Sequence, residues 1–164
     1  MHDKDLPKLD LEKLRRKDEE ELLKLKTCMM ELGFFKMINH GFDPQLKEDF
    51  EKMSKSFFNL PFASKNAVRR ELSTKTFRGY YGPGVESTNG KPDIKEAFTW
   101  GPGLLRGSIT TWYHGPNLIP SELHLFKETF DAYCSKMSEI SLALLEGSFS
   151  RFKSSFIFIV LFSF

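Results

Sequence analysis

The chain has 164 residues, of which 40% are hydrophobic and 28% are charged, and its formal net charge is +2. This length suits one ordinary domain, and the composition excludes a disordered polar chain and a bundle of membrane helices. The near-balance of 24 basic and 22 acidic residues excludes a strongly basic nucleic-acid-binding protein. The polar start of the chain does not resemble a signal peptide. Because Cys28 and Cys134 form no disulfide framework, we expect a reducing, cytoplasmic location.

The first half of the chain predicts two strands and two helices. The alternating segment 6–11 indicates a short strand, and apolar residues three and four apart indicate an amphipathic helix over 17–32 that ends at a glycine. The compact apolar run 34–38 is typical of a buried strand. Asp43 and Pro44 suit the start of a second long helix, which we expect to end before Pro61.

The second half of the chain contains more glycine and is less periodic. We predict a short surface helix over 64–72, a loop over 79–84 and a polar, mobile segment over 87–92. Residues 94–100 suit a strand, whereas residues 104–117 show no period and are assigned to a loop.

The strongest periodic signal predicts a long helix that begins after a capping Ser121. Its repeat is short and rich in aromatic residues, which favours a helix packed on a core over a coiled coil. The predicted inward face is Leu123, Phe126, Phe130, Tyr133, Met137, Ile140 and Leu144.

The composition changes abruptly after Gly147. Residues 156–164 are almost entirely apolar, yet a membrane-spanning helix needs about 20 such residues. Their strand propensity and lack of charge are typical of a segment that aggregates when exposed. We therefore divide the chain into a folded region, 1–147, and a Phe-rich tail, 148–164, that we expect to be disordered or non-native.

Several stretches in register together resemble one family. They look like the amino-terminal region of the Fe(II)- and 2-oxoglutarate-dependent dioxygenases of the isopenicillin N synthase and plant oxidase type. The resemblance implies an α+β fold for residues 1–147, namely the helix-rich amino-terminal domain of a double-stranded β-helix oxygenase, with the barrel itself absent. The stretches are 6–11, GFFKMINHG (33–41), FFNLP (57–61), FRGYY (77–81), GKPDIKEAF (90–98) and 115–120.

The resemblance also implies a chemistry for the full-length family. Its members hold Fe(II) with two histidines and one carboxylate, use 2-oxoglutarate, and hydroxylate or desaturate a small molecule. The corresponding signature is His-x-Asp/Glu, a distant histidine and then Arg-x-Ser. The Arg106-Gly107-Ser108 match precedes any possible metal motif, so we interpret it as chance. None of the four histidines has an acid two residues later: His2, His40, His114 and His124.

We therefore expect no catalytic residue and no metal ligand in this chain. We expect neither Fe(II) nor 2-oxoglutarate to bind to it alone, and a small-molecule substrate only in a full-length form. Exposed apolar surface left without the barrel predicts self-association or aggregation.

The candidate substrate-binding residues are Arg78, Tyr80 and Tyr81. An arginine beside a glycine and two tyrosines can offer a planar fork to a carboxylate. The family resemblance implies that this segment reaches the mouth of the substrate site. The alternative is an exposed arginine on a strand edge.

Other polar residues suit structural roles better. We interpret His40, which follows a predicted core strand, as a turn residue bonded to the backbone rather than a metal ligand. Asp93, Lys95 and Glu96 can form a local charge pair, and Glu96 can cap backbone amides.

Two other functions remain open at this point. The helical region could be a non-catalytic module that binds a full-length relative through the face that meets the barrel. The tail, preceded by Arg151 and Lys153, could give weak association with a membrane surface.

Overall fold

The computed structural model describes residues 6–72, 77–101 and 115–151. It divides into two compact units, residues 1–42 with 136–164 and residues 43–135. The elements are β1 (Lys8–Asp10), α1 (Leu11–Arg15), α2 (Glu19–Thr27), β2 (Lys36–Ile38), α3 (Pro44–Phe58), α4 (Phe62–Asn66), β3 (Gly79–Tyr81), β4 (Ser87–Thr88), β5 (Lys91–Pro92), β6 (Ala97–Thr99) and α5 (Phe126–Arg151).

The described strands form three separate two-stranded sheets, and no barrel closes among them. This confirms the predicted α+β class without the catalytic barrel. In the residues that the structure describes, no helix is long and apolar enough to cross a bilayer. Most of the predicted 148–164 tail and of the 104–117 loop lies outside the described residues.

The first unit is built on a parallel pair of strands. β1 pairs with β2 in the register Lys8 with Lys36, Leu9 with Met37 and Asp10 with Ile38. The helices and strands of this unit share one apolar core. Its buried members are Leu9, Leu11, Leu14, Leu22, Leu25, Cys28, Ile140 and Leu144.

The α-helix predicted over 17–32 covers only Glu19–Thr27, and the rest of the predicted range, Cys28–Leu32, is a π-helical turn. Lys17 has a positive φ of 57°, which separates α1 from α2, and the Asp18 side chain caps α2 by accepting from the Glu21 N–H. One π-helical turn over Cys28–Leu32 continues α2, and Gly33 then ends it in the left-handed conformation. The separate helix α1 was not predicted, because charged residues dominate its sequence and hide the apolar spacing of Leu11 and Leu14.

The second unit has an aromatic core between α3 and the first part of α5. Phe126 stacks on Phe130 at a centroid distance of 4.1 Å, and Phe57 meets Phe98 edge-on at 4.7 Å. α3 begins as predicted, because Asp43 accepts from the Gln45 N–H and Pro44 occupies the first turn. The predicted inward face of α5 is confirmed, since Phe126, Phe130, Tyr133, Ile140 and Leu144 are buried.

Two predictions for the second unit were wrong in detail, and a third segment has structure that was not predicted. The segment 79–84 contains β3, which pairs antiparallel with β6 and sets Tyr80 opposite Phe98. Residues 87–92, predicted only to be polar and mobile, form the hairpin β4–β5, whose turn holds Asn89 and Gly90 at positive φ. α5 begins at Phe126, whereas the Ser121 hydroxyl donates to the neighbouring Glu122 carboxylate instead of capping the helix.

The short helix predicted over 64–72 divides into two pieces. α4 ends at Asn66, and a 3₁₀ turn over Arg70–Leu72 follows it. An isolated bridge joins Arg69 to Tyr80, so this segment also supports β3.

Candidate substrate-binding site

Arg78, which directly precedes β3, is buried, with 8% of its surface exposed. Among the described residues, nothing accepts a hydrogen bond from its Nε. Burial lowers the pKa of Arg78, yet a guanidinium stays protonated in proteins. The alternative of an exposed arginine on a strand edge is therefore wrong.

Gly101 makes room for Arg78. A β-carbon on Gly101 would collide with the guanidinium group of Arg78. The Gly101 backbone is clamped in turn by Asn117, whose Oδ1 accepts from the Gly101 N–H at 3.2 Å and whose Nδ2 donates to the Gly101 carbonyl at 2.7 Å. The predicted strand over 94–100 stops just before Gly101, and no sequence pattern indicated that Asn117 would bind the Gly101 backbone. A glycine after a predicted strand is a signal for close approach of another group.

Cys134 on α5 lies within electrostatic range of Arg78. Burial and the charge of Asp131 raise the pKa of the Cys134 thiol, and the Arg78 guanidinium lowers it only in part. This thiol stays protonated at neutral pH and is not an activated nucleophile. The positive charge of Arg78 is therefore not neutralised by Cys134.

The Tyr80 side chain takes part in a hydrogen-bond network within the second unit. Its hydroxyl donates to Glu96 Oε2 at 2.9 Å, and Lys65 Nζ approaches the same oxygen at 2.6 Å while donating to the Phe58 carbonyl at 3.0 Å. Burial, with help from Glu96, raises the pKa of Tyr80 to about 12. The prediction that Glu96 pairs locally or caps backbone amides was wrong, because its partners are 31 and 16 residues away.

Tyr81 lies on the opposite face of β3 from Tyr80, as successive strand residues must. The guanidinium carbon of Arg70 is 4.6 Å from the centroid of the Tyr81 ring, and Arg70 Nη1 is 3.3 Å from Glu86 Oε1. The three candidate residues therefore have three different surroundings. Arg78 is buried against a glycine, Tyr80 donates to a partly exposed carboxylate that also contacts Lys65, and Tyr81 stacks on an ion-paired arginine.

Two structural interpretations from the sequence are confirmed. His40 Nδ1 accepts a hydrogen bond from the Phe42 N–H at 3.0 Å, so this histidine closes a turn. Lys95 Nζ lies 3.0 Å from the Asp93 carboxylate and 3.1 Å from that of Glu86. These contacts lower the pKa of Asp93 and raise that of Lys95.

The iron chemistry of the family needs two imidazoles and a carboxylate on one face. In the described ranges 6–72, 77–101 and 115–151, no three His, Cys, Asp or Glu side chains are grouped to hold a metal ion. His2, His114 and the Arg106-Gly107-Ser108 match lie outside those ranges. The described residues therefore do not fit the iron.

Comparison with known proteins identifies the region to which this chain corresponds. The model of the family described as "non-haem dioxygenase in morphine synthesis N-terminal" matches residues 6–122. A probable iron/ascorbate oxidoreductase of Dictyostelium discoideum is 33% identical over 158 residues, covering 86% of this chain and 44% of the relative. Codeine O-demethylase of Papaver somniferum is 32% identical over 148 residues, covering 88% of this chain and 39% of that enzyme.

Solved structures of oxygenases share the fold of this chain. A putative 2OG-Fe(II) oxygenase family protein from Caulobacter crescentus superposes with a TM-score of 0.75 at 20% identity, over 89% of this chain and 48% of that chain. A full-length Neurospora crassa protein solved in complex with alpha-KG gives a TM-score of 0.67 at 26% identity, over 87% and 46%. The chain thus spans less than half the length of these relatives. It belongs to the Fe(II)- and 2-oxoglutarate-dependent dioxygenase family and corresponds to the amino-terminal region of its members.

Proposed function

We propose that this chain supplies the amino-terminal part of an oxidoreductase that hydroxylates or desaturates a small molecule with Fe(II) and 2-oxoglutarate. We further propose that the 164-residue chain is inactive by itself. One observation carries both statements. The family model matches residues 6–122, while no histidine in the sequence is followed by an acid two residues later.

Sequencing transcripts across the codon for Gly147 tests the first statement. A transcript that continues into His-x-Asp/Glu, a distant histidine and Arg-x-Ser would place the activity in a longer product. If every transcript ends at the codon for Phe164, the oxidoreductase proposal fails for this gene.

Within such an enzyme, we propose that Arg78 binds an anionic group of the substrate, such as a carboxylate. Its support is a buried guanidinium whose Nε has no acceptor among the described residues. Tyr80 and Tyr81 serve this proposed site indirectly, because they lie on opposite faces of β3 and their own contacts hold the strand that follows Arg78. A guanidinium kept from water by its surroundings binds a carboxylate more tightly than an exposed one.

An NMR titration of the ¹⁵N-labelled chain with benzoate, a monocarboxylate unlike 2-oxoglutarate, tests the role of Arg78. We expect the Arg78 Nε–H resonance, assigned with R78K, to shift and saturate, whereas Arg70, already paired with Glu86, serves as the internal control. Equal, non-saturating shifts for both arginines would contradict a substrate role for Arg78.

We propose that the chain alone binds neither Fe(II) nor 2-oxoglutarate. Support comes from the histidine pattern and from the described residues, which group no three metal-binding side chains. Anaerobic dialysis against Fe(II), followed by elemental analysis, tests this directly. Stoichiometric iron in the dialysed chain would overturn it.

We also propose that residues 1–147 form the amino-terminal domain and that residues 148–164 are a separate tail. A β-carbon placed on Gly147 would lie 3.6 Å from Leu22 and 3.7 Å from Leu25, so α5 still packs on the first unit at that point. Ending the chain after Gly147 should leave the melting temperature unchanged. A large fall in melting temperature would show that the tail belongs to the fold.

For location, we propose the cytoplasm, supported by two cysteines that are both free thiols. Microscopy of a fluorescent fusion tests this proposal. A secreted or organelle-bound fusion would contradict it.

A further inference from the structure

Arg78 carries a positive charge for which the described part of the chain supplies no counter-charge. Its side chain is buried, and a guanidinium stays protonated in proteins. Within residues 6–72, 77–101 and 115–151, no carboxylate forms an ion pair with it, and its Nε has no acceptor. A buried charge without a partner lowers stability, so its presence favours a partner from outside these residues.

The groups that surround the Arg78 guanidinium are uncharged. It occupies the space beside Gly101, whose N–H and carbonyl both bind the Asn117 amide. The amide supplies the donor and the acceptor that this backbone needs, and it adds no charge. The Cys134 thiol, which lies within electrostatic range of the guanidinium, is protonated at neutral pH.

The acid closest in sequence to Cys134 on α5 is already engaged. Asp131 lies one helical turn before Cys134, and Trp100 Nε1 donates to its Oδ1 at 3.1 Å. Lys127 Nζ lies 2.5 Å from its other carboxylate oxygen. The sequence over 97–121, which begins at β6 and includes both partners of the Gly101 backbone clamp, contains no aspartate or glutamate. Nearby acids therefore do not compensate the charge of Arg78.

We propose that Asn117 is a specificity-determining residue of the Arg78 site. Its neutral amide holds Gly101 in place and leaves the guanidinium to pair with a monoanion from outside the chain, such as a carboxylate. An acid of the same size at this position would supply an internal counter-charge and compete with that ligand. The inference rests on the proposed anion-binding role of Arg78 and adds the residue that keeps its charge available.

The first test repeats the benzoate titration of the ¹⁵N-labelled chain with three variants. Asn117→Asp should weaken the binding seen at the Arg78 Nε–H at least tenfold. Asn117→Ala removes both hydrogen bonds but adds no charge, so it should retain more of the affinity. Asn89→Asp is the matched control, because Asn89 is exposed on the β4–β5 turn and the substitution changes the net charge equally. It should leave the binding unchanged, whereas equal weakening by N117D and N117A would overturn the proposal.

A second test compares stabilities and needs no ligand. Urea denaturation is measured for N117D, Arg78→Met and the double variant. In the wild-type background the new carboxylate can pair with Arg78, so N117D should lower the denaturation midpoint less than it does in the R78M background. Equal losses in both backgrounds would overturn the proposal. So would an N117D chain that circular dichroism shows to be unfolded while N117A is folded.

The two measurements separate this inference from the proposed function. A wild-type chain without a saturable benzoate shift would end the anion-binding role of Arg78, whereas the urea comparison would still decide whether Asn117 keeps that charge unpaired. Saturable binding by the wild-type chain that N117D leaves unchanged would overturn the inference alone.

Discussion

The guanidinium group of Arg78 lies in the space that a β-carbon on Gly101 would fill. Asn117 holds the Gly101 backbone by two hydrogen bonds, so position 101 cannot simply move aside. A glycine is therefore required here by a side chain 23 residues earlier in the chain. The position of Arg78, and with it the proposed anion contact, depends on this absence of a side chain.

Gly101→Ala should destabilise the protein by about 1–3 kcal/mol, because the added methyl group meets a buried guanidinium. In the background of Arg78→Ala, the same substitution should cost far less, since the obstructing side chain is gone. Urea denaturation of the four proteins measures this coupling. Equal losses in both backgrounds would show that Gly101 and Arg78 do not constrain each other.

Gly79 and Gly84 provide a matched pair of glycine substitutions. Both have positive φ, +108° and +81°, but a β-carbon on Gly79 would lie 2.5 Å from the Val68 carbonyl oxygen, and one on Gly84 would meet nothing within 4 Å. Gly84→Ala should lower the free energy of unfolding by about 1–2 kcal/mol, which is the strain of the left-handed backbone alone. Gly79→Ala should lower it clearly more, because the backbone at Val68 must also move. Similar midpoints of urea denaturation for the two variants would contradict the packing of β3 described here.

The carboxylates of Glu96 and Glu86 are exposed to nearly the same extent, 34% and 36%, yet their partners differ. Lys65, the partner of Glu96, is only 10% exposed. Glu96→Gln leaves that ammonium buried beside a neutral amide and should destabilise by about 1–3 kcal/mol. Glu86→Gln should destabilise the protein by about 1 kcal/mol or less, because its partners Arg70 and Lys95 are 19% and 53% exposed and so keep more contact with water. Thermal unfolding of both variants checks the difference, and a larger loss for Glu86→Gln would contradict it.

The same network predicts a response to acid. The hydrogen bond from Lys65, above all, lowers the pKa of Glu96 below its ordinary value of 4.5. The unfolded chain therefore takes up a proton at this residue before the folded protein does, and the stability that Glu96 contributes above pH 4.5 is lost as the pH falls further. The stability of wild-type protein should fall more steeply than that of Glu96→Gln below that pH. Parallel slopes would show that Glu96 is not held ionised by Lys65.

Tyr80 predicts the opposite response in alkali. Its pKa is raised from 10.0 to about 12, so the unfolded chain loses this proton first. The stability it contributes is complete below pH 10 and declines as the pH rises toward 12. Absorbance at 295 nm should show a late-titrating phenol that Tyr80→Phe removes. If Tyr80→Phe instead removes a phenol that titrates near pH 10, neither the burial of Tyr80 nor its hydrogen bond to Glu96 is as described here.

Local patterns were sufficient for the elements whose signals lie close together in the sequence. Asp43 and Pro44 marked the start of α3, and the three- and four-residue spacing identified the buried face of α5, including Phe126 and Ile140. These features are set by capping and by burial along one helix face. Neighbouring residues determine both, so a single sequence reveals them.

Contacts between distant segments could not be read in that way. Gly79 suggested a loop, but its missing side chain lets β3 approach the Val68 carbonyl. The partner of β3 is a strand about 18 residues later in the chain. Nothing in the local pattern links Lys65 to Glu96, or Asn117 to Gly101. For the candidate site, the sequence identified Arg78 as the residue of interest, whereas its burial and its glycine neighbour depend on the folded chain.

The most direct test of the central claim is 2-oxoglutarate turnover by the purified 164-residue chain. The assay supplies Fe(II), ascorbate, oxygen and 2-oxoglutarate and measures succinate, with codeine O-demethylase and codeine as the positive control. We predict no succinate above the protein-free background, because the sequence has no His-x-Asp/Glu motif. Metal-dependent succinate formation by this chain, abolished by a chelator, would contradict the proposal that this amino-terminal part of the dioxygenase fold is inactive by itself.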